Sequence, residues 1–120
     1  MTTITGIRID ATADETVSSV ELDGTDVLRS LYGSIDCERI ETIELSGGID
    51  AIFDEEGKLT GAEPNDRASA VALVLGFRFL PGDYLAGPVI FLGFTDEGDH
   101  VSLTEEQRQA ILRAVVIARG

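Results

Sequence analysis

Arg39-Ile40-Glu41-Thr42-Ile43-Glu44-Leu45-Ser46-Gly47-Gly48-Ile49-Asp50-Ala51-Ile52-Phe53 is the stretch that decides how this chain folds. Ile40 and Ile43 stand among Glu41, Thr42 and Glu44, and an apolar run from Ile49 to Phe53 follows Ser46, Gly47 and Gly48. Two β-type runs separated by a Gly-Gly pair predict a tight hairpin, because glycine enters the positive φ region that such turns require. Asp54, Glu55, Glu56 and Gly57 supply a second turn, after which Lys58 to Thr60 is expected to extend the meander.

Upstream, Ile4, Ile7 and Ile9 punctuate the segment Thr3 to Ala11, and Val17, Val20 and Leu22 punctuate Thr16 to Leu22. This predicts two short strands with Ala13 to Glu15 in the turn between them. Asp23, Gly24, Thr25 and Asp26 then open a short helix, with Val27, Leu28 and Leu31 on one face and its end expected near Gly33.

Downstream, Pro64-Asn65-Asp66-Arg67 precedes the apolar run Ala68 to Leu75, and Asn65 or Asp66 suits the cap of a helix. Apolar residues on nearly every side predict that this run is buried. Helix is the expected form; strand is the alternative that Val and Leu at 71, 73, 74 and 75 also permit, and Pro81 with Gly82 closes the run. Gly87 to Phe94 reads as a buried strand, and Asp96 to Asp99 as a solvated turn.

The final helix carries the fullest set of signals. Thr104 caps it with Gln107 at the third position, Glu105 and Glu106 occupy the positive first turn, and Arg113 and Arg119 lie toward the negative end. Ile111, Ala114, Val115 and Ala118 share one face, and Leu112 and Val116 widen the stripe beyond what a single contact surface needs. Leu112 and Val116 are therefore the candidate interface of a homodimer. The expected fold is α+β: a small, mainly antiparallel sheet with two or three helices, the C-terminal one packed on the sheet, in one domain spanning residues 1–120.

Charge bounds the function. Twenty-two acidic residues against 9 basic ones give a net charge of −13, which repels phosphate backbones and anionic lipid surfaces, so direct nucleic-acid binding is not expected. The acidity serves either solubility or docking on a basic partner, and the candidate interaction surface is the pair of acidic turns, Asp54, Glu55 and Glu56 with Asp96, Glu97 and Asp99. Ala68 to Phe77 is about half the length needed to cross a bilayer before Arg78 interrupts it, so no membrane span is expected. A single cysteine and the lack of a basic, then apolar, then small-residue leader point to the cytoplasm.

Signals of catalytic chemistry are sparse in this sequence. Cys37 and His100 fall short of the ligands a structural zinc takes, the acidic turns lack the calcium-loop pattern, and Gly47-Gly48 lacks the spacing and Lys-Ser or Lys-Thr of a phosphate loop. No motif surrounds Cys37 or His100 as a nucleophile and base, so a buried thiol and a surface imidazole are expected. No cofactor and no metal is expected, and the chain is not read as an enzyme. Lys58, Asn65 and Arg67 depart from the acidic background beside a helix start and are the candidate ligand contacts, with an ordinary cap and nearby surface charges as the competing explanation.

Phe53-Asp54-Glu55-Glu56-Gly57-Lys58-Leu59, Asn65 with Ala68, Gly87-Pro88-Val89-Ile90-Phe91-Leu92-Gly93 and Ser102-Leu103-Thr104-Glu105-Glu106 resemble the domain of unknown function 3846, a small domain of bacterial, plasmid and phage proteins. The likeness runs from about Leu28 to Gln107, and the chain departs from it at Ala62-Glu63-Pro64 and in the unusually apolar Ala70 to Leu75. The resemblance brings no activity or catalytic residue and implies a mobile-element or phage setting. Charge and resemblance together lead to the expectation of a non-enzymatic acidic accessory protein that binds and modulates a host protein, as an anti-defence inhibitor or nucleic-acid mimic. The alternative is an oligomeric domain that binds or sequesters a nucleotide-like small molecule.

Overall fold

The Gly-Gly hairpin forms as expected. A computed structural model describes residues 2–12 and 16–119, with β3 (Ile40–Leu45) and β4 (Ile49–Asp54) paired antiparallel from Ile40 opposite Asp54 to Leu45 opposite Ile49. Gly47 and Gly48 have φ of 82° and 77°, the left-handed region that a Cβ disfavours. The two upstream strands are β1 (Thr3–Ile9) and β2 (Val17–Asp23), also antiparallel; the turn assigned to Ala13 to Glu15 lies outside the described residues, as does the side chain of Arg119.

A further strand, β5 (Val89–Phe94), unites the two hairpins by pairing with β1 on one side and β4 on the other. Short β6 (His100–Val101) pairs back onto the end of β5, completing a six-stranded antiparallel sheet of order β2-β1-β5-β4-β3 with β6 off this path. Central β5 accordingly buries Val89 through Gly93 on both faces.

Alternation along the strands divides the core in two. Ile4, Leu22, Ile52, Ile90 and Leu92 pack against Leu31 and Ile35 of α1 (Val27–Ile35). Ile7, Ile9, Ala51, Val89 and Phe91 pack on the opposite face against α2 (Asp66–Val74) and α3 (Glu105–Arg119). The sheet thus lies between one helix and a helix pair, an α+β architecture with the C-terminal helix on the sheet.

Three local expectations need correction. Helix α1 does not end near Gly33: it continues to Ile35, because Leu31 and Ile35, one turn apart, both bury in the sheet, and it stops at Asp36 with φ 60°. Lys58 to Thr60 is not a strand. Leu59 N and Thr60 N both donate to Glu56 O at 3.0 Å, and Ala62 N donates to Gly57 O at 2.8 Å, so the segment coils on itself. The apolar run after Arg67 is a helix, as preferred, but only Ala68, Val71 and Ala72 are buried, and Leu73 is 56% exposed. It ends well before Pro81, where Gly76 takes φ 98° and Phe77 N donates to Ala72 O at 2.9 Å.

Helix α3 begins with the expected reciprocal cap. Gln107 N donates to Thr104 Oγ1 at 3.1 Å and Thr104 N donates to Gln107 Oε1 at 2.9 Å. The Gln107 side-chain amide also donates to Gly47 O at 2.9 Å, tying the helix start to the hairpin turn. Ile111, Ala114 and Val115 are buried, whereas Ala118, expected on the same face, is exposed.

Candidate functional site

A buried acid and a half-buried histidine form a pair absent from the sequence expectations. Asp50 follows Ile49 on β4 and alternation turns it toward the α1 face, where its side chain is only 8% exposed. His100, carried by β6 to the same region, places Nε2 3.0 Å from Asp50 Oδ2 and keeps 20% of its side chain exposed. Asp50 Oδ1 is buried without a hydrogen-bond partner. Burial pushes the Asp50 carboxyl above the usual carboxylate range; His100 opposes that shift and Glu44 on the neighbouring strand adds to it. The sole histidine is thus mostly covered and engaged with a buried acid, instead of being a surface imidazole.

His100 also lines a cleft of about 320 Å³, whose walls are the start of α1 (Gly24, Val27, Leu28 and Leu31) and the turn before β6 (Gly98 and Asp99). Its walls are largely aliphatic, and Asp99 is the acidic residue that borders it. Asp96, Glu97 and Asp99 project from this turn, and no Lys or Arg among the described residues pairs with any of them. No group of three His, Cys, Asp or Glu suited to a metal ion occurs among the described residues.

The two candidate acidic turns do not share a surface. Ile49 lies opposite Gly93 and Ile52 opposite Ile90, so the turn after β4, with Asp54, Glu55 and Glu56, and the turn after β5, with Asp96, Glu97 and Asp99, occupy opposite ends of the sheet. At about 3.3 Å per residue they stand roughly 20 Å apart. The first turn is partly compensated, since Arg39 Nε approaches Glu56 Oε1 at 3.8 Å. Cys37, near that end, is half-buried, and burial, then Asp54, push its thiol up, away from the reactive thiolate.

Lys58, Asn65 and Arg67 do not form a common pocket. Asn65 is fully buried: its Nδ2 donates to Ile9 O and Gly87 O, each at 2.9 Å, and its Oδ1 accepts from Ala68 N at 3.0 Å. All its amide capacity facing these groups is committed to capping α2 and joining the sheet, so it is a structural cap and not a ligand contact. Lys58 pairs with Asp83, whose carboxyl the pairing pulls below its usual range, and lies 4.8 Å from the centroid of the Tyr84 ring. The narrow slot that Lys58 lines, about 70 Å³, includes neither Asn65 nor Arg67, which sits half-buried in the first turn of α2.

Leu112 and Val116 do share a surface. With Gln109, Arg113 and Ile117 they line a shallow groove of about 360 Å³ on α3. Leu112 leans on the core, while Val116 and Ile117 are 67% and 62% exposed.

With this geometry in place, the family comparison is decisive: a model of the family described as Domain of unknown function (DUF3846) matches residues 4–115. The chain belongs to the DUF3846 family. No curated protein matches it. Among solved structures, the small RNA methyltransferase HEN1 is similar with a TM-score of 0.62 at 14% identity, over 92% of this chain and 16% of that one. The chain spans a small part of that enzyme, and at this identity the likeness concerns the fold alone. No helix among the described residues of this DUF3846 domain is long and apolar enough to cross a membrane.

Proposed function

We propose that this domain is a non-enzymatic accessory protein of a phage or mobile element that binds a basic host protein and modulates it. The observation that carries this reading is the turn Asp96, Glu97 and Asp99, which lacks Lys or Arg partners among the described residues and whose Asp99 borders a cleft also lined by Val27, Leu28 and Leu31. Lysine and arginine combine a cationic head with an aliphatic stem, so aliphatic walls bordered by Asp99, with Asp96 and Glu97 on the same turn, suit one inserted basic side chain. The net charge of −13 steers a basic surface toward the domain and turns nucleic acid away. A nucleic-acid-binding defence factor, whose basic face meets phosphate, is a partner of the matching chemistry.

The test compares capture from host lysate by the wild type and by an Asp96→Asn, Glu97→Gln, Asp99→Asn variant, each at low and high salt. The expected result is a partner held by the wild type at low salt and released by salt or by the substitutions. A partner retained equally under all conditions, or none retained, would contradict the reading.

Self-association has separate support in the exposed Val116 and Ile117 beside Leu112. We propose a homodimer through this face of α3. Sedimentation at tens of micromolar, about the range of a weak dimer, should show a dimer for the wild type and a monomer for Leu112→Glu with Val116→Glu. A folded wild-type monomer at that concentration sinks the idea.

A further inference from the structure

We infer that the free edge of β3 is a strand-addition site for an extended basic segment of the partner, with two cationic residues spaced three apart. The inference rests on the docking role proposed above and gives it a binding mode. Strand β3 ends the sheet order, so no strand among the described residues lies beyond it. The direction of its backbone groups follows from the ladder. Arg39 O accepts from Glu55 N at 3.0 Å, which places the odd-numbered residues of this register, Glu41, Ile43 and Leu45, in hydrogen bonding toward β4. Ile40, Thr42 and Glu44 therefore direct their N–H and C=O groups outward. Ser46 N, the next outward group, donates to Leu75 O at 2.8 Å, which confirms the parity and marks where the free edge stops.

The side chains define what this edge accepts. Glu41, Thr42 and Glu44 are exposed, with Glu41 on the α2/α3 face and Glu44 on the α1 face, while Ile40 and Ile43 are half-buried. An antiparallel strand that placed Lys or Arg opposite Glu41 and Glu44 would form a cross-strand ion pair on each face. The same glutamates oppose pairing with another acidic edge. The other edge, β2, differs: its outward Asp23 N is held by Ser30 Oγ at 3.0 Å, and the Arg108 guanidinium reaches Ser19 Oγ at 3.5 Å, putting a cation where a basic strand would approach. On β3, Lys58, the cation in the slot that Glu41 also lines, is paired with Asp83, so acidic side chains and free backbone groups coincide there.

The probe is the peptide acetyl-Val-Lys-Val-Thr-Lys-Val-amide, whose two lysines fall opposite Glu44 and Glu41 in antiparallel register. Titrated into the domain, it should shift the amide resonances of Ile40 to Leu45 selectively. N-methylation of its fourth residue, which faces Thr42 and donates to β3, should weaken binding by roughly tenfold or more, whereas N-methylation of its third residue, which points away, should change it less than roughly twofold. Thr42→Pro removes an outward donor without touching the β4 ladder and should abolish the response; Glu41→Lys with Glu44→Lys provides a second variant if the proline disturbs folding. Equal binding of both N-methylated peptides, or no selective shift up to a few millimolar, roughly the weakest affinity such a titration reads, overturns strand addition. The docking reading is tested apart from it: the Asp96→Asn, Glu97→Gln, Asp99→Asn variant should still bind this peptide while losing the host partner. Peptide binding that disappears with the turn charges would also overturn the assignment to β3.

Discussion

Replacing Asn65 by alanine should destabilise this domain more than any other single polar truncation. Its side chain is fully buried and serves Ile9 O and Gly87 O at 2.9 Å and Ala68 N at 3.0 Å. Alanine deletes a helix cap, worth about 1 kcal/mol, and leaves these backbone groups facing a small void, each buried orphan costing about 1 to 3 kcal/mol. Partial relaxation around the bridged residues Pro64 and Ala86 reduces the sum, giving an expected loss of about 3 to 5 kcal/mol from a total near 5 to 15 kcal/mol. Asn65→Asp separates the contributions. It keeps the cap acceptor but turns a buried oxygen toward two carbonyls, so the carboxyl pKa rises in the fold. Stability of that variant is fullest below the unfolded carboxyl value near 4 and falls as pH rises through the raised folded value. Urea unfolding followed by circular dichroism, with an unchanged slope, measures both. A loss below about 1 kcal/mol for Asn65→Ala, or an Asn65→Asp variant as stable as the wild type at neutral pH, would refute the buried-cap account.

Asp50→Asn tests the buried pair: because burial raises the Asp50 pKa, ionisation opposes folding, and the wild type loses stability as pH rises from about 4 through that raised value. The neutral amide should gain relative stability at pH 7 and lose that advantage toward pH 4; an advantage that grows in acid, in the same urea assay, contradicts this assignment. Gly6→Ala should destabilise the sheet centre by about 1 to 3 kcal/mol or more, since a Cβ there would meet Phe91 O at 2.4 Å and Leu92 Cδ2 at 2.6 Å. Thermal melting checks it, and an unchanged midpoint would mean that β1 and β5 yield more easily than a close-packed sheet should.

Much of the fold was legible because its signals are local. Thr104 and Gln107 cap α3 through one another, and Gly47-Gly48 supplies the φ values that the β3–β4 turn takes. Burial overrode local signals elsewhere. Gly33 reads as a stop, yet helix α1 runs past it because it is exposed while Leu31 and Ile35 lie on the opposite, buried stripe. The outer residues Leu73 and Val74 show the reverse: an apolar run can supply one buried stripe and leave the remainder on the surface.

The candidate site was less legible because it depends on strand order. Whether Asp54 and Asp96 share a surface is decided by β5 entering antiparallel between β1 and β4, a pairing no segment encodes by itself. Asp50 and His100 meet for the same reason, after β6 folds back onto the end of β5. One part of that pair did carry a local signal. In the run Ile49 to Phe53 all residues but Asp50 are apolar, so this carboxylate must either face solvent or be buried with a partner. Asp50 shares the face of Ile52, which packs against α1, so the second case holds, and the sole imidazole of the chain is the group that meets it. The edge strand β3 obeys the complementary logic. Glu41 and Glu44 place a carboxylate on each face beside half-buried isoleucines, as charged edge strands do, and this margin is where backbone groups remain for a partner.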